Sequence, residues 1–309
     1  MEVFAEYSAS SSETAALFLA LPTLAASALA ILAAQGLVLG ATETPSHGEG
    51  IGGGPFAWPG WVSVGASMAA AVAIMQVAVP LAVLCRTVGS PAAVWSTVIA
   101  ATAEIRFTTA TALAAGVACA VLGLLGAECA TRREGDPSRG RLCLLMLPLA
   151  LPAPLVGIGL IGVGRWLPLG DWMPALAATV RFAPVATLTV LAQMRRVDRR
   201  LLEAATVTAP SRLRAWVRVK LVLVGPGLLA AALACMALTT AELGATLLVA
   251  PPGKATLAMR TYNYLHYGAT DQVAGLCLAA ACAAGAAGVA AAWAFVRGGR
   301  AAASGRPGH

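Results

Sequence analysis

The feature that most constrains this chain is a series of apolar runs whose lengths match the thickness of a bilayer. These runs cover roughly residues 14–40, 62–85, 107–129, 142–164, 174–194, 225–250 and 271–296. A helix rises about 1.5 Å per residue, so about 20 apolar residues cross a hydrocarbon core of ~30 Å. Only 11% of the residues are charged, against about a quarter in soluble domains. The sequence therefore predicts an all-α polytopic bundle of about seven transmembrane helices.

Positive charge is concentrated in segments that follow apolar runs. The net charge is +7, and most of the 21 Lys and Arg residues lie within 132–141, 195–220 and 297–306. Cytoplasmic loops close to membrane spans are enriched in Lys and Arg. We therefore expect an inner (plasma) membrane protein with an external N-terminus and a cytoplasmic C-terminus, and no nucleic-acid partner. The loop over 41–59 would also be cytoplasmic, although it contains no Lys or Arg.

The sequence contains no motif for catalysis, metal binding or nucleotide binding. The seven cysteines form no C-x-x-C pair and lie in or beside apolar runs, so we interpret them as small hydrophobic residues. His47, His266 and His309 are scattered, without H-E-x-x-H or G-x-S-x-G patterns. Lys254 follows a glycine but lacks the remaining P-loop residues. We expect a protein that is not an enzyme and holds no metal, cofactor or ATP.

The run over 142–164 is rich in residues that interrupt helices. Its prolines are Pro148, Pro152 and Pro154, and each removes a backbone hydrogen bond from a continuous helix. Such interruptions are tolerated in a membrane where the segment lines a cavity or packs within protein. Two interpretations stay open, a helix that lines the pore and a kinked structural helix.

Two charged residues are predicted at membrane depth, Arg181 in the run over 174–194 and Glu242 in the run over 225–250. Ionisable groups at that depth need a partner or a water-filled cavity. We expect these two either to form an ion pair between adjacent helices or to line the translocation path. Glu104 and Arg106 lie at the outer end of the third run, where interfacial anchoring is the expected role.

The polar segment over 195–224 predicts a helix-turn-helix at the membrane surface. Residues 201–206 continue a helix out of the preceding run, residues 209–211 break it, and a second short helix follows. The apolar face expected for that second helix consists of Leu213, Trp216 and Val217. The segment could bind anionic membrane lipid, or it could dock a soluble partner.

The same segment resembles the EAA loop of binding-protein-dependent ABC importer permeases. The matching positions are Glu203, Ala204 and Ala205, the break at Ala209 and Pro210, and the apolar Val219 and Leu221. Further stretches look like the ferric-iron and thiamine-type branch: LPLALPAPLVGIGL from Leu147, RFAPVATL from Arg181, ELGATLLVAPPG from Glu242 and LHYGATDQVAGLCL from Leu265. Ala209 replaces the glycine of that family and Val222 replaces its proline. Pro210 still favours a helix end at Ala209, because the residue before a proline avoids the α region.

The resemblance implies a permease subunit of type I architecture, similar to the transmembrane domain of methionine importers. It implies cytoplasmic ABC ATPase subunits, an external substrate-binding protein, and a second permease copy or another permease chain as partners. Glu203, Ala204, Ala205, Ala209 and Pro210 would then contact the ATPase. The branch implies ferric iron as the solute, with thiamine, phosphonates, sulfate or molybdate as alternatives.

The resemblance also gives a domain division and a set of alternatives. Residues 1–13 would be an external segment, 14–85 two N-terminal transmembrane helices, 86–297 the permease domain and 298–309 a cytoplasmic tail. The chain is similar to the C-terminal half of fused permeases, so it is either a short subunit or a truncated one. The alternative functions are an ATP-independent secondary carrier and a truncated permease that transports nothing.

Overall fold

The computed structural model describes residues 18, 20–31, 33, 60–131, 139–166, 169–197, 199–208, 210–268 and 270–304. All regular structure within these ranges is helical, which confirms the predicted all-α polytopic fold. The α-helices in chain order are α1 (Ala20–Ile31), α2 (Gly60–Val88), α3 (Pro91–Ala100), α4 (Thr102–Ala130), α5 (Arg139–Ala150), α6 (Ala153–Gly164), α7 (Met173–Arg196), α8 (Arg199–Thr208), α9 (Arg212–Ala215), α10 (Leu221–Thr240), α11 (Thr246–Val249), α12 (Leu257–His266) and α13 (Thr270–Ser304). A 3₁₀ turn (Gly170–Trp172) precedes α7, and a π-helical turn (Trp216–Lys220) joins α9 to α10.

Within the described residues, five helical stretches are long and apolar enough to cross a membrane. They are Trp61–Val88, Thr102–Ala130, Gly170–Arg196, Leu213–Thr240 and Asp271–Val296. A sixth candidate is the pair α5 and α6, whose axes differ by 91° across a short break. About half of the first predicted run, 14–40, lies outside the described residues. Its described part, α1, is too short to count as a span, so five or six of the seven predicted spans are accounted for.

Polar contacts identify which helix ends lie together at one end of the bundle. Glu128, near the C-terminus of α4, contacts Lys220 of the π-turn through Oε2 at 2.7 Å. Arg141 of α5 donates a hydrogen bond to the carbonyl oxygen of Cys129 at 3.2 Å. The end of α4, the start of α5 and the segment before α10 therefore meet. We name this the loop end.

The opposite end of the bundle is defined by a second group of contacts. Glu104, in the first turn of α4, forms an ion pair with Arg260 of α12 at 2.6 Å. Asp171, just before α7, forms an ion pair with Lys254 in the loop before α12. We name this the cavity end. The chain enters α5 at the loop end and leaves α6 towards the cavity end, so the bent pair crosses the bundle once.

Small residues let the central helices approach closely. Helix α4 packs against α7 and α10, and α10 also packs against α13. A Cβ atom at Gly123 would lie 2.8 Å from the backbone carbonyl carbon of Ala186, and one at Gly126 would lie 2.6 Å from Oγ1 of Thr187. Membrane helices associate through such close contacts, because lipid provides no hydrophobic drive between them.

The sixth predicted span, 225–250, is displaced towards the N-terminus. Helix α10 follows the π-turn without interruption and ends at Thr240, with Pro226 inside it. The chain then turns over 241–245. The prediction that Glu242 lies within a transmembrane helix was therefore wrong. Its carboxylate instead accepts the backbone N–H of Ala245 at 2.9 Å. That bond satisfies a donor that a continuing helix would have satisfied internally.

Candidate functional site

The fold brings Arg181 of α7 and Glu242 together in a salt bridge. The Glu242 side chain is 5% exposed and the Arg181 side chain 26%. Oε2 of Glu242 accepts from the guanidinium, and Oε1 accepts from the N–H of Ala245. The guanidinium carbon also lies 5.3 Å from the ring centroid of Phe182. Both carboxylate oxygens are thus used, which offsets part of the cost of removing this charge from water.

Two interrupted helices touch each other next to this ion pair. A Cβ atom at Gly244, in the turn after α10, would lie 2.6 Å from Cβ of Ala153 at the start of α6. A Cβ atom at Gly157 would lie 2.8 Å from the Leu248 side chain of α11. Irregular backbone at membrane depth is tolerated where protein surrounds it. The break after α5 and the break after α10 therefore support one another.

The three prolines singled out in the sequence lie at the first of these breaks. Pro148 is inside α5, Pro152 lies between the two helices, and Pro154 is in the first turn of α6. All three are half-buried. Their position explains the 91° bend, because each lacks the N–H that a continuous helix needs. Whether this bend lines a pore stays a prediction.

The cavity end contains a cavity of about 560 Å³, within the usual range for small-molecule sites. One wall belongs to α4, one to the 3₁₀ turn before α7, and one to the loop before α12. Its lining residues are Ala103, Glu104, Arg106, Phe107, Ala110, Thr111, Asp171, Trp172, Gly253, Lys254 and Ala255. The cavity therefore combines carboxylate, cationic and aromatic groups, and Arg181 and Glu242 are not among its lining residues.

The charged groups of the cavity join its walls. The Asp171–Lys254 ion pair connects the 3₁₀ turn to the loop, and Nζ of Lys254 lies 5.8 Å from the ring centroid of Phe107. The loop turns at Gly253, whose φ of 79° suits glycine. The prediction for Glu104 and Arg106 recognised their position at a helix end but not the cavity. Lys254 offered a signal, since it is one of few lysines and follows Pro-Pro-Gly.

Arg260 connects α12 to α4 at the cavity end. Its guanidinium donates to Glu104 and to the hydroxyl of Tyr264. Desolvation lowers the pKa of Arg260, but the hydrogen bonds with Tyr264 and Glu104 and the charge of Glu104 outweigh it, so the pKa lies above its usual value. Arg260 is therefore positively charged at every physiological pH.

The EAA-like residues lie on and after the short helix α8 at the loop end. Glu203 and Ala204 are exposed, and Ala205 is half-buried. Helix α8 ends at Thr208 and α9 begins at Arg212, which agrees with the break expected at 209–211. Pro210 is exposed, whereas Ala209 lies outside the described residues.

The second half of this segment differs from its prediction. Helix α9 does not stand alone, because the π-turn over Trp216–Lys220 connects it to α10. Trp216 donates its indole N–H to Glu128 at 3.3 Å, whereas Leu213 is 72% exposed. The three residues expected to share an apolar face thus have different surroundings. Ser211 Oγ accepts the backbone N–H of Arg214 at 3.3 Å, which stabilises the start of α9.

Gln193 is a buried polar residue that the sequence analysis missed. Its side chain is fully buried between α7 and α10, and its Nε2 donates to the carbonyl oxygen of Leu223 at 3.2 Å. Its Oε1 has no partner among the described residues. A Cβ atom at Gly227 would lie 2.5 Å from Cβ of Gln193. A lone amide within an apolar run was the available signal.

No family model matches the chain, and no curated protein matches it. No group of three or more His, Cys, Asp or Glu residues suited to a metal ion occurs within the described part of the chain. The apolar helices make the chain a multi-pass membrane protein, and their number is compatible with a transporter.

Proposed function

We propose that this chain is the membrane-spanning permease subunit of an ABC-type importer, with ATP hydrolysis on a separate subunit. The observation that supports the proposal is the exposure of α8 at the loop end. Helix α8 is short, with exposed Glu203 and Ala204, and it lies between α7 and α10. A soluble ATPase that docks on α8 would act directly on two helices of the core.

The proposed mechanism is alternating access driven from the loop end. Movement of α8 would displace α7 and α10, and these helices carry Arg181 and the turn that holds Glu242. Rigid-body shifts of packed helices are a common form of switching. The loop end would face the cytoplasm, since it carries the basic segments, and an external binding protein would deliver the solute to the cavity end.

The partner set follows from the number of docking elements. This chain offers one EAA-like loop, so a second copy or another permease chain is needed to engage two ATPase subunits. Ferric iron, which the resemblance implies, is the first solute to assay. The alternatives implied with it are thiamine, phosphonates, sulfate and molybdate.

A second candidate function is an ATP-independent secondary carrier. The observation that favours it is the contact between two broken helices beside the Arg181–Glu242 ion pair. Secondary transporters place substrate and ion sites at such interruptions near the bilayer midplane.

The deciding experiment is co-purification followed by reconstitution. The chain is tagged in its native host, extracted in mild detergent, and its bound proteins are identified by mass spectrometry. We expect an ABC ATPase in the complex, and solute uptake into proteoliposomes that requires ATP. Uptake that follows an ion gradient without an ATPase would replace the proposed importer by the secondary carrier, and a complete complex without uptake would contradict the proposed importer.

A further inference from the structure

At the loop end, helix α4 is attached to the segment that follows α8. Glu128, in the last turn of α4, accepts the indole N–H of Trp216 at 3.3 Å through Oε1 and the ammonium of Lys220 at 2.7 Å through Oε2. The Lys220 and Glu128 side chains are 23% and 29% exposed, so water screens this ion pair less than a fully exposed one. The two donors are the first and last residues of the π-turn. Short π-helical segments often lie at functional sites.

At the cavity end, α4 is attached to the segment that leads into α12. Glu104 accepts from Arg260 at 2.6 Å, and Oγ1 of Thr108 accepts the backbone N–H of Leu257 at 2.8 Å. Thr108 is buried, and Glu104 is part of the cavity lining. A displacement of α4 therefore changes both the cavity wall and the loop on the opposite side of the cavity.

Helix α4 can carry a displacement between these two attachments. Glu104 and Glu128 are about 36 Å apart along the helix at 1.5 Å per residue, and the helix is continuous over Thr102–Ala130 with no proline. Hydrogen-bonded helices are stiff along their axis. The contacts at Gly123 and Gly126 keep the C-terminal part of α4 against α7.

We propose that α4 transmits movement of the α8–α9 segment to the cavity, with Glu128 as the positioning residue that receives it. This inference rests on the proposed function, because the movement would come from the docked partner. Glu104 and Thr108 pass the displacement to the 254–260 segment. The cavity then widens or narrows in response to events at the loop end, although neither α8 nor α9 reaches it.

The test measures hydrogen–deuterium exchange of the full chain in lipid nanodiscs, without any partner. Lys220→Met removes the cation of the Lys220–Glu128 ion pair, and Glu128→Gln removes its negative charge. Arg218→Met is the matched control for Lys220→Met. Arg218 is an exposed residue of the same π-turn, and its substitution removes the same single positive charge. Lys220→Arg retains a cation for Glu128. Exchange is followed in peptides covering 254–266, with 153–164 as an internal reference.

We expect exchange of the Leu257 region to become roughly two- to thirty-fold faster in Lys220→Met and Glu128→Gln, as the usual size of coupling between distant sites implies. Arg218→Met, Lys220→Arg and the reference peptides should match the wild type. Equal exchange in Lys220→Met and Arg218→Met, or faster exchange everywhere, would overturn the inference. Failure to find an ATPase partner would instead remove the proposed function, so the two failures are distinguishable.

Discussion

Arg181 and Glu242 meet across the boundary between a continuous helix and an interrupted one. Arg181 lies within α7, where its backbone is part of a regular helix, whereas Glu242 lies in the turn between α10 and α11. The ion pair therefore attaches the turn that follows α10 to the side of α7. This arrangement gives the charged pair a mechanical role whether or not solute passes beside it.

The ion pair predicts a non-additive mutant cycle. Arg181→Met or Glu242→Gln alone should lower stability by about 2 kcal/mol or more, because each leaves a group with its partner removed. The double variant should recover part of that loss. Thermal unfolding in detergent and solute uptake are the two measurements. Restored stability with uptake still absent would place the pair on the solute path, and additive losses would contradict the contact.

Close packing at Gly123 predicts that even a methyl group is harmful there. Gly123→Ala should lower the unfolding temperature, with a cost of about 1–3 kcal/mol, because the new Cβ meets the Ala186 backbone at 2.8 Å. Gly162→Ala is the matched control, since no atom lies within 4 Å of a Cβ at that position. It should leave stability unchanged or raise it. The same loss in both variants would show that the contact between Gly123 and α7 is not the cause, because Ala favours a helix over Gly at both positions.

The exposed face of α8 predicts a loss of coupling when its charge is reversed. Glu203→Arg should insert normally yet reduce ATPase stimulation by solute-loaded binding protein about tenfold or more, because a docked surface loses one contact and gains a repulsive charge. Glu203→Gln, which removes the charge without reversing it, should have a smaller effect. The assay is ATP hydrolysis in reconstituted vesicles. Wild-type stimulation in Glu203→Arg would exclude this helix as the docking element.

The arrangement of the two ends predicts opposite accessibility of two exposed positions. Arg214 lies at the loop end and Tyr267, which is 86% exposed, directly follows α12 at the cavity end. In a background without native thiols, Tyr267→Cys should react with an impermeant maleimide in intact cells. Arg214→Cys should react only after permeabilisation. The reverse pattern would invert the proposed orientation.

Much of the fold follows from local sequence properties. The run over 107–129 predicts the centre of α4, because a long apolar segment in a membrane must satisfy its own backbone bonds as a helix. Pro152 predicts the break after α5 for the same reason, since it cannot supply the bond that a helix requires. The end of α8 before Pro210 is a further local effect.

The rest depends on packing between distant segments. The sixth run was predicted to begin at residue 225, but α10 begins at Leu221 and includes Pro226, because a helix in a packed bundle tolerates one missing backbone hydrogen bond. Glu242 was predicted within a helix but lies in the turn after α10, where its carboxylate accepts the backbone N–H of Ala245. The hydropathy of the sequence does not reveal this hydrogen bond. Glu128 and Lys220 are separated by 92 positions, so their contact arises only when α4 and α10 pack together.

Helix α2 stands apart from the rest, since its most apolar stretch contains no residue buried within the chain and it packs mainly against α13. The sequence of such a helix is constrained by its total hydrophobicity, which lets it lie in the lipid bilayer, and hardly by the identity of each residue. Substitutions among apolar residues there would accumulate as neutral drift, whereas those facing α7 from α4 would be purged. Related chains are therefore expected to diverge fastest over 61–87 while keeping the mean hydropathy of that stretch.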